Sequence, residues 1–166
     1  MLGFKPSLPP PERPLDRPGL SDWTDAYDNS GHIPDAAAYL ELWPREAAAF
    51  RDAMGPRARL DLPYPGGLND GARERLDLFL PETDAKGLAV FLHGGYWVSR
   101  HKNDFRFLAQ GLTRAGAVLV IVNYALVPSV DLDELVRQCR AAVAWTHGNA
   151  DTFGGDKERI FVSGHS

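Results

Sequence analysis

Ser166 is a hydroxyl placed where chemistry can happen. Gly164-His165-Ser166 follows the apolar run Ile160-Phe161-Val162, and a serine set just past a strand end faces a ligand rather than a core. Its hydroxyl is a weak nucleophile at neutral pH and acts only beside a base that takes its proton. A second stretch offers the complementary chemistry. Leu88-Ala-Val-Phe-Leu92 is apolar throughout and stops at His93-Gly94-Gly95-Tyr96-Trp97. Glycines there let backbone N–H groups approach a ligand and donate to a developing oxyanion, each donor contributing about 3 kcal/mol in the transition state. Ser166 is therefore a candidate nucleophile, and Gly94 and Gly95 are candidate oxyanion donors. Each has a plainer reading: Ser166 as the cap of a following helix, the glycine pair as a tight loop that binds nothing. Tyr96 and Trp97 would line the pocket mouth and favour a flat or aromatic acyl substrate, although Trp97 could equally pack against the N-terminal segment.

Both turns need parallel strands to bring them together, because chemistry in an open parallel sheet gathers where strands end at the carboxyl edge. Leu88–Leu92 and 117–122 are apolar at every position, the signature of strands covered on both faces. Residues 59–64 and 73–80 alternate instead, with Leu60, Leu62, Tyr64 and then Leu76, Leu78, Leu80. Period two predicts strands with one buried face, forming the antiparallel edge of the sheet. Pro65-Gly66-Gly67 and Asn69-Asp70-Gly71 supply the turn between them.

Three helices are expected. Residues 35–54 carry Ala36, Tyr39, Leu40, Trp43, Ala47 and Phe50 at helical spacing after an Asp35 cap. Pro44 should kink or split that helix, and its aromatic stripe is core packing rather than a ligand box. Residues 103–115 carry Phe105, Leu108, Ala109 and Leu112 behind an Asn103 cap, with Gly116 as the left-handed terminator. Residues 131–146 open with Asp131 and Glu134 at capping-box spacing and present Leu132, Leu135, Val136, Cys139 and Val143 as the buried face. The order β-β-β-α-β-α-β implies right-handed crossovers and an α/β, mostly parallel, doubly wound sheet. A strand–turn–helix elbow needs a helix after Ser166, so residues 21–166 are expected to be the N-terminal part of one domain that continues. Residues 1–20 contain six prolines and are expected to be an extended arm.

Composition narrows the class. A 166-residue chain with 44% hydrophobic and 24% charged residues can bury a real core. A net charge of −4 without a basic block gives no support to nucleic-acid binding. No apolar run has the length of a membrane span, and the N-terminus has no signal-peptide core. One cysteine, Cys139, excludes an internal disulfide. The expectation is a cytoplasmic protein that binds no nucleic acid and no membrane. No metal-ligand spacing stands out; Asp131, Asp133 and Glu134 read as an acidic helix start.

Taken together, His93-Gly94-Gly95-Tyr96-Trp97, Asn123-Tyr124, Pro128, the 132–138 segment, Gly155-Asp156 and Gly164-His165-Ser166 resemble the α/β-hydrolase fold. Within it they are similar to the kynurenine formamidase (arylformamidase) group and its esterase relatives. The resemblance runs from about Leu76 to Ser166, and HGG-x-W is its most specific part. It implies a Ser-Asp-His triad, hydrolysis of N-formyl-kynurenine to kynurenine and formate, no cofactor, and often a homodimer. It makes Ser166 the nucleophile and Gly94 and Gly95 the oxyanion donors. In this fold the acid and base follow the serine, so His93 is expected to brace its loop and His165 to pack beside the elbow. A general carboxylesterase and a non-catalytic binding module on the same fold are the alternatives.

Overall fold

Apolar strands without a polar face must be covered twice, and the middle of the sheet is built that way. The computed structural model describes residues 23–28, 30–65 and 73–166. It contains five strands: β1 (Ala58–Pro63), β2 (Arg75–Phe79), β3 (Leu88–Leu92), β4 (Val118–Val122) and β5 (Ile160–Gly164). Their order is β1-β2-β4-β3-β5. β1–β2 and β2–β4 pair antiparallel, β4–β3 and β3–β5 parallel. The sheet is thus mixed, with parallel strands β4, β3 and β5 and the expected antiparallel N-terminal edge. The proline-rich stretch 1–20 and the glycine-rich turn at 66–72 lie outside the described residues.

Alternate residues of each strand serve opposite faces. Leu76, Leu78, Val90, Val118, Val120 and Val122 pack on the side of Ala142 of helix α4 (Leu132–Asn149). Phe79, Ala89, Phe91, Leu119 and Ile121 pack with Met54 of α2 (Ala36–Met54) and Ala109 of α3 (Ala109–Arg114). Helices thus cover both faces, as a right-handed β-α-β path requires.

The described residues up to Ala38 fall in one compact unit, and those from Tyr39 onward in a second. In the first, α1 (Trp23–Tyr27) is followed by a turn in which the His32 ring, Nε2, contacts the Asp25 carbonyl at 2.8 Å. His32 is thus held locally.

Four local expectations are corrected. Pro44 does not split α2, which is continuous; a proline removes one ladder bond, and Trp43, Ala47, Phe50 and Met54 are packed onto the core on both sides of it. β2 is buried on both faces rather than one, because its polar position, Asp77, is itself fully buried. Asp77 accepts from Lys102 Nζ at 2.7 Å and from Arg106 Nε at 2.8 Å, and both cations are buried with it. The helix before β4 begins earlier than Asn103, as a 3-10 segment Lys102–Leu108 capped by His101. The His101 ring accepts from the Asn103 N–H and the Asp104 carboxylate accepts from the His101 N–H, a reciprocal pair that outcompetes a lone Asn103 cap. Gly116 is left-handed, φ 85°, as expected.

The fourth correction concerns α4. Asp131 caps it, accepting from Glu134 N at 2.8 Å. Its fully buried side, however, is Leu135, Gln138, Ala142 and Thr146, while Leu132 and Val136 are about half exposed. The apolar stripe is wider than the contact with the sheet. Buried Gln138 is matched by its bonds to Ala125 N (2.8 Å) and the Glu134 carboxylate (2.9 Å). Among the described residues, no helix is long and apolar enough to cross a membrane.

Candidate active site

Register decides the site. β3 and β5 lie side by side with Leu92 opposite Gly164, and the ladder runs one bond further, from His165 N to Leu92 O at 3.2 Å. The two glycine-bearing turns therefore leave the sheet at the same edge and the same level. Gly94 rests directly on the serine turn: a Cβ added there would lie 2.5 Å from the His165 carbonyl oxygen and 2.7 Å from Ser166 Cβ. Only glycine permits that approach.

Ser166 itself has φ 70°. A side-chain-bearing residue rarely takes the left-handed conformation, which costs about 1–3 kcal/mol and persists where surrounding structure imposes it. A sharp, strained turn at a strand end is how a serine hydroxyl is presented above a sheet.

The glycine turn is strained as well. Gly95 has φ 125°, and Tyr96, Trp97 and Arg100 have φ 55°, 62° and 73°. A Cβ on Gly95 would collide with the Ser99 carbonyl and with Arg100 Cγ. The Gly95 carbonyl accepts from Val98 N (3.2 Å), Ser99 N (3.0 Å) and Ser99 Oγ (2.8 Å), while the Trp97 carbonyl accepts from Val127 N (2.9 Å). Among the described residues no backbone bond runs from the Gly94 or Gly95 N–H to an acceptor, the state an oxyanion site needs.

His93 is buried between aromatic rings, stacked on Tyr124 at 4.4 Å and on Phe105 at 5.9 Å. Its Nε2 faces Asn123 Oδ1 at 3.2 Å and its Nδ1 faces the Gly94 carbonyl at 2.8 Å. The Tyr124 hydroxyl donates to the His93 carbonyl. Burial lowers the His93 pKa, which keeps the imidazole neutral at neutral pH. Enclosed in this way, the ring braces the turn. His165 sits with its ring tilted against Phe105 at 6.5 Å.

The described residues leave an open space of about 800 Å³ beside Ser166. Its walls include His93, Trp97 and Tyr124 on one side and Cys139 and Val143 of α4 on the other. The part of the α4 stripe that the sheet does not cover faces this space. Burial raises the Cys139 thiol to about 11, so it is a protonated, weakly reactive lining group. Trp97 reaches the cleft, whereas Tyr96 is 79% exposed and stands outside it with its ring 5.4 Å from that of Trp97. Among the described residues no group of three His, Cys, Asp or Glu side chains is placed to hold a metal ion.

The structure thus brings Ser166, Gly94, Gly95 and Trp97 to one edge. It also gives contacts at the turn to Asn123 and Tyr124, which the sequence marks only as part of the family resemblance, and to Arg73, which it does not mark. Asn123-Tyr124 directly after an all-apolar strand was the available signal, since polar residues at the carboxyl end of an interior strand point at the site edge.

A sheet wound this way, with a left-handed serine ending one strand and a glycine pair ending its parallel neighbour, is that of the α/β-hydrolases. Residues 76–166 match the BD-FAE family, just over half of the 166-residue chain, and the chain belongs to that family. Among curated proteins it is similar to the kynurenine formamidase of Danio rerio, 33% identical over 109 residues that cover 64% of this chain and 34% of that protein. It is also similar to a probable isoprenylcysteine α-carbonyl methylesterase of Oryza sativa subsp. japonica, 30% identical over 57% of this chain and 23% of that protein. Among solved structures it is similar to a candidate thioesterase from Silicibacter sp. tm1040, with TM-score 0.74 and 38% identity over 85% of this chain and 50% of that one. A hyperthermophilic esterase from Pyrobaculum calidifontis shares the fold, with TM-score 0.61 and 24% identity over 78% of this chain and 43% of that one. The matched stretch spans about a third of the length of the curated formamidases.

Proposed function

We propose that this chain carries the nucleophile and the oxyanion site of a serine hydrolase acting on a formamide or small ester, with N-formyl-kynurenine as the favoured substrate. The observation that carries the reading is the contact between left-handed Ser166 and Gly94. Ser166 Oγ attacks the acyl carbon. A histidine base in chain following Ser166, oriented by an aspartate, takes the hydroxyl proton and returns it to the leaving amine or alcohol. The Gly94 and Gly95 N–H groups receive the carbonyl oxygen as its charge develops. Water then cleaves the acyl-serine by the same route and releases formate or the carboxylic acid. The chemistry calls for no cofactor. Trp97 offers an aromatic wall to a flat substrate, with Tyr96 packed behind it. The similarity to kynurenine formamidases supports the formamide, and the similarity to a methylesterase keeps a general carboxylesterase as the second reading. A single, half-buried cysteine suits a reducing, cytoplasmic setting.

The test is kcat/KM of the full-length protein on N-formyl-kynurenine beside p-nitrophenyl acetate, with Ser166→Ala as control. Preference for the formamide, lost in the variant, is the expected result. Ester turnover alone would move the protein to the carboxylesterases. Turnover that survives the substitution would reject the serine mechanism.

A further inference from the structure

Both ends of the strained glycine turn meet at one side chain. Asn123, fully buried just after β4, gathers three nitrogens around its Oδ1. They are the Lys102 backbone N–H and Arg73 Nη2, which donate, and His93 Nε2, which donates in the tautomer that carries its proton there, each at 3.2 Å. His93 opens the turn, and Lys102 follows its close. Arg73 clamps the far end from a third direction, donating to the Arg100 carbonyl at 2.7 Å and the Tyr124 carbonyl at 2.8 Å. Between these ends lie Tyr96, Trp97 and Arg100, all left-handed, each costing about 1–3 kcal/mol. A turn under that load keeps its shape only while its ends are fixed.

Resting on the serine-hydrolase reading above, we propose that Asn123 is a positioning residue. Its Oδ1 ties the start of the glycine turn to its end, with Arg73 as the clamp, and thereby aims the Gly94 and Gly95 N–H groups at the oxyanion. The role belongs to the oxygen alone. Asn123 Nδ2 is buried and has no hydrogen-bond partner among the described residues, so replacing that nitrogen forfeits no bond. Asn123→Asp keeps the acceptor and faces Arg73, a charge that suits a carboxylate. Asn123→Leu keeps the volume and removes the acceptor, leaving the Lys102 N–H unpaired.

The experiment is kcat and KM on p-nitrophenyl acetate for the full-length wild type, Asn123→Leu, Asn123→Asp and Ser166→Ala, with a thermal melt of each. Asn123→Leu should lower kcat roughly 10- to 100-fold, the loss that a displacement of about 1 Å in a catalytic group brings, with KM within about threefold. Asn123→Asp should stay within about fivefold of wild type. An unchanged kcat in Asn123→Leu, or equal damage in both variants, would overturn the proposal. If Asn123→Leu does not fold, Arg73→Met against Arg73→Lys makes the same comparison. A second readout needs no turnover: exchange of the Val127 amide, which is bonded to the Trp97 carbonyl, should be at least about tenfold faster in Asn123→Leu. Equal exchange would refute the positioning role. A wild type without hydrolysis, or activity retained in Ser166→Ala, would sink the hydrolase reading instead and leave the exchange rate to judge Asn123.

Discussion

Gly94 has no room for a side chain because the Ser166 turn fills the space. A methyl group on Gly94 would stand 2.7 Å from Ser166 Cβ, well inside van der Waals contact, and nearer still to the His165 carbonyl. The proposed nucleophile and the proposed oxyanion site are thus held in contact by the absence of one Cβ. Gly94→Ala must push the two turns apart. Its kcat on p-nitrophenyl acetate should fall at least about 100-fold, the order seen when one oxyanion donor is lost. Activity within tenfold of wild type would detach Gly94 from the site.

The two aromatic residues of the turn should separate in a substitution test. Trp97 lines the cleft and Tyr96 stands outside it. Trp97→Ala should raise KM for an aromatic substrate by about tenfold, near the effect of one lost aromatic contact of 0.5–1.5 kcal/mol. Tyr96→Ala should change KM by less than about threefold. The reverse order would place the substrate on the outer face of the turn.

The buried ion cluster should dominate the sensitivity of the sheet to substitution. Asp77 has 0% exposure, and Lys102 Nζ and Arg106 Nε both reach it within 2.8 Å. Asp77→Leu would leave buried Arg106 without its carboxylate and Lys102 with the exposed Asp61 alone, 2.6 Å away, destabilising the fold by about 3–5 kcal/mol. Denaturant unfolding measures this directly. Adding Lys102→Met and Arg106→Leu should recover most of the loss, because the penalty comes from the orphaned charges.

His101 gives stability a defined pH dependence. Burial, with the Lys102 and Arg73 charges, pushes its pKa down to about 4 from the ordinary 6.5. Between those values the unfolded chain binds the extra proton and the folded chain does not. Stability contributed by neutral His101 is therefore present above pH 6.5 and lost as pH falls toward 4. His93, lowered in the same direction by burial, adds to the slope. His101→Asn keeps a capping acceptor for the Asn103 N–H and removes one titration. Its denaturation midpoint should fall less than that of wild type between pH 6.5 and 4, and identical profiles would exclude His101 as a source.

Local chemistry settled much of this molecule before any fold was known. Unbroken apolar runs at Leu88–Leu92 and Val118–Val122 can exist only as strands covered twice, so they specify interior positions of a parallel sheet. Asp131 before an amphipathic run specifies a helix start, and Gly116 a helix end. Gly94, Gly95 and Ser166 could be singled out because glycine and serine at strand ends have few structural uses and one chemical one. Only the tertiary structure could decide matters set by pairing across long sequence distances. The register of β3 against β5 puts Gly94 on Ser166, 72 residues apart by their numbers. Asp77 reads as a solvent-facing residue of an alternating strand until Lys102 and Arg106 are folded over it. The α4 stripe shows a helix but not which part of it meets the sheet and which faces the cleft. Asn123 is one polar letter after a strand until its oxygen is seen to gather His93, Lys102 and Arg73. Periodicity and propensity act over a few residues and are written in the chain; contact between distant residues is created by packing, which no local pattern encodes.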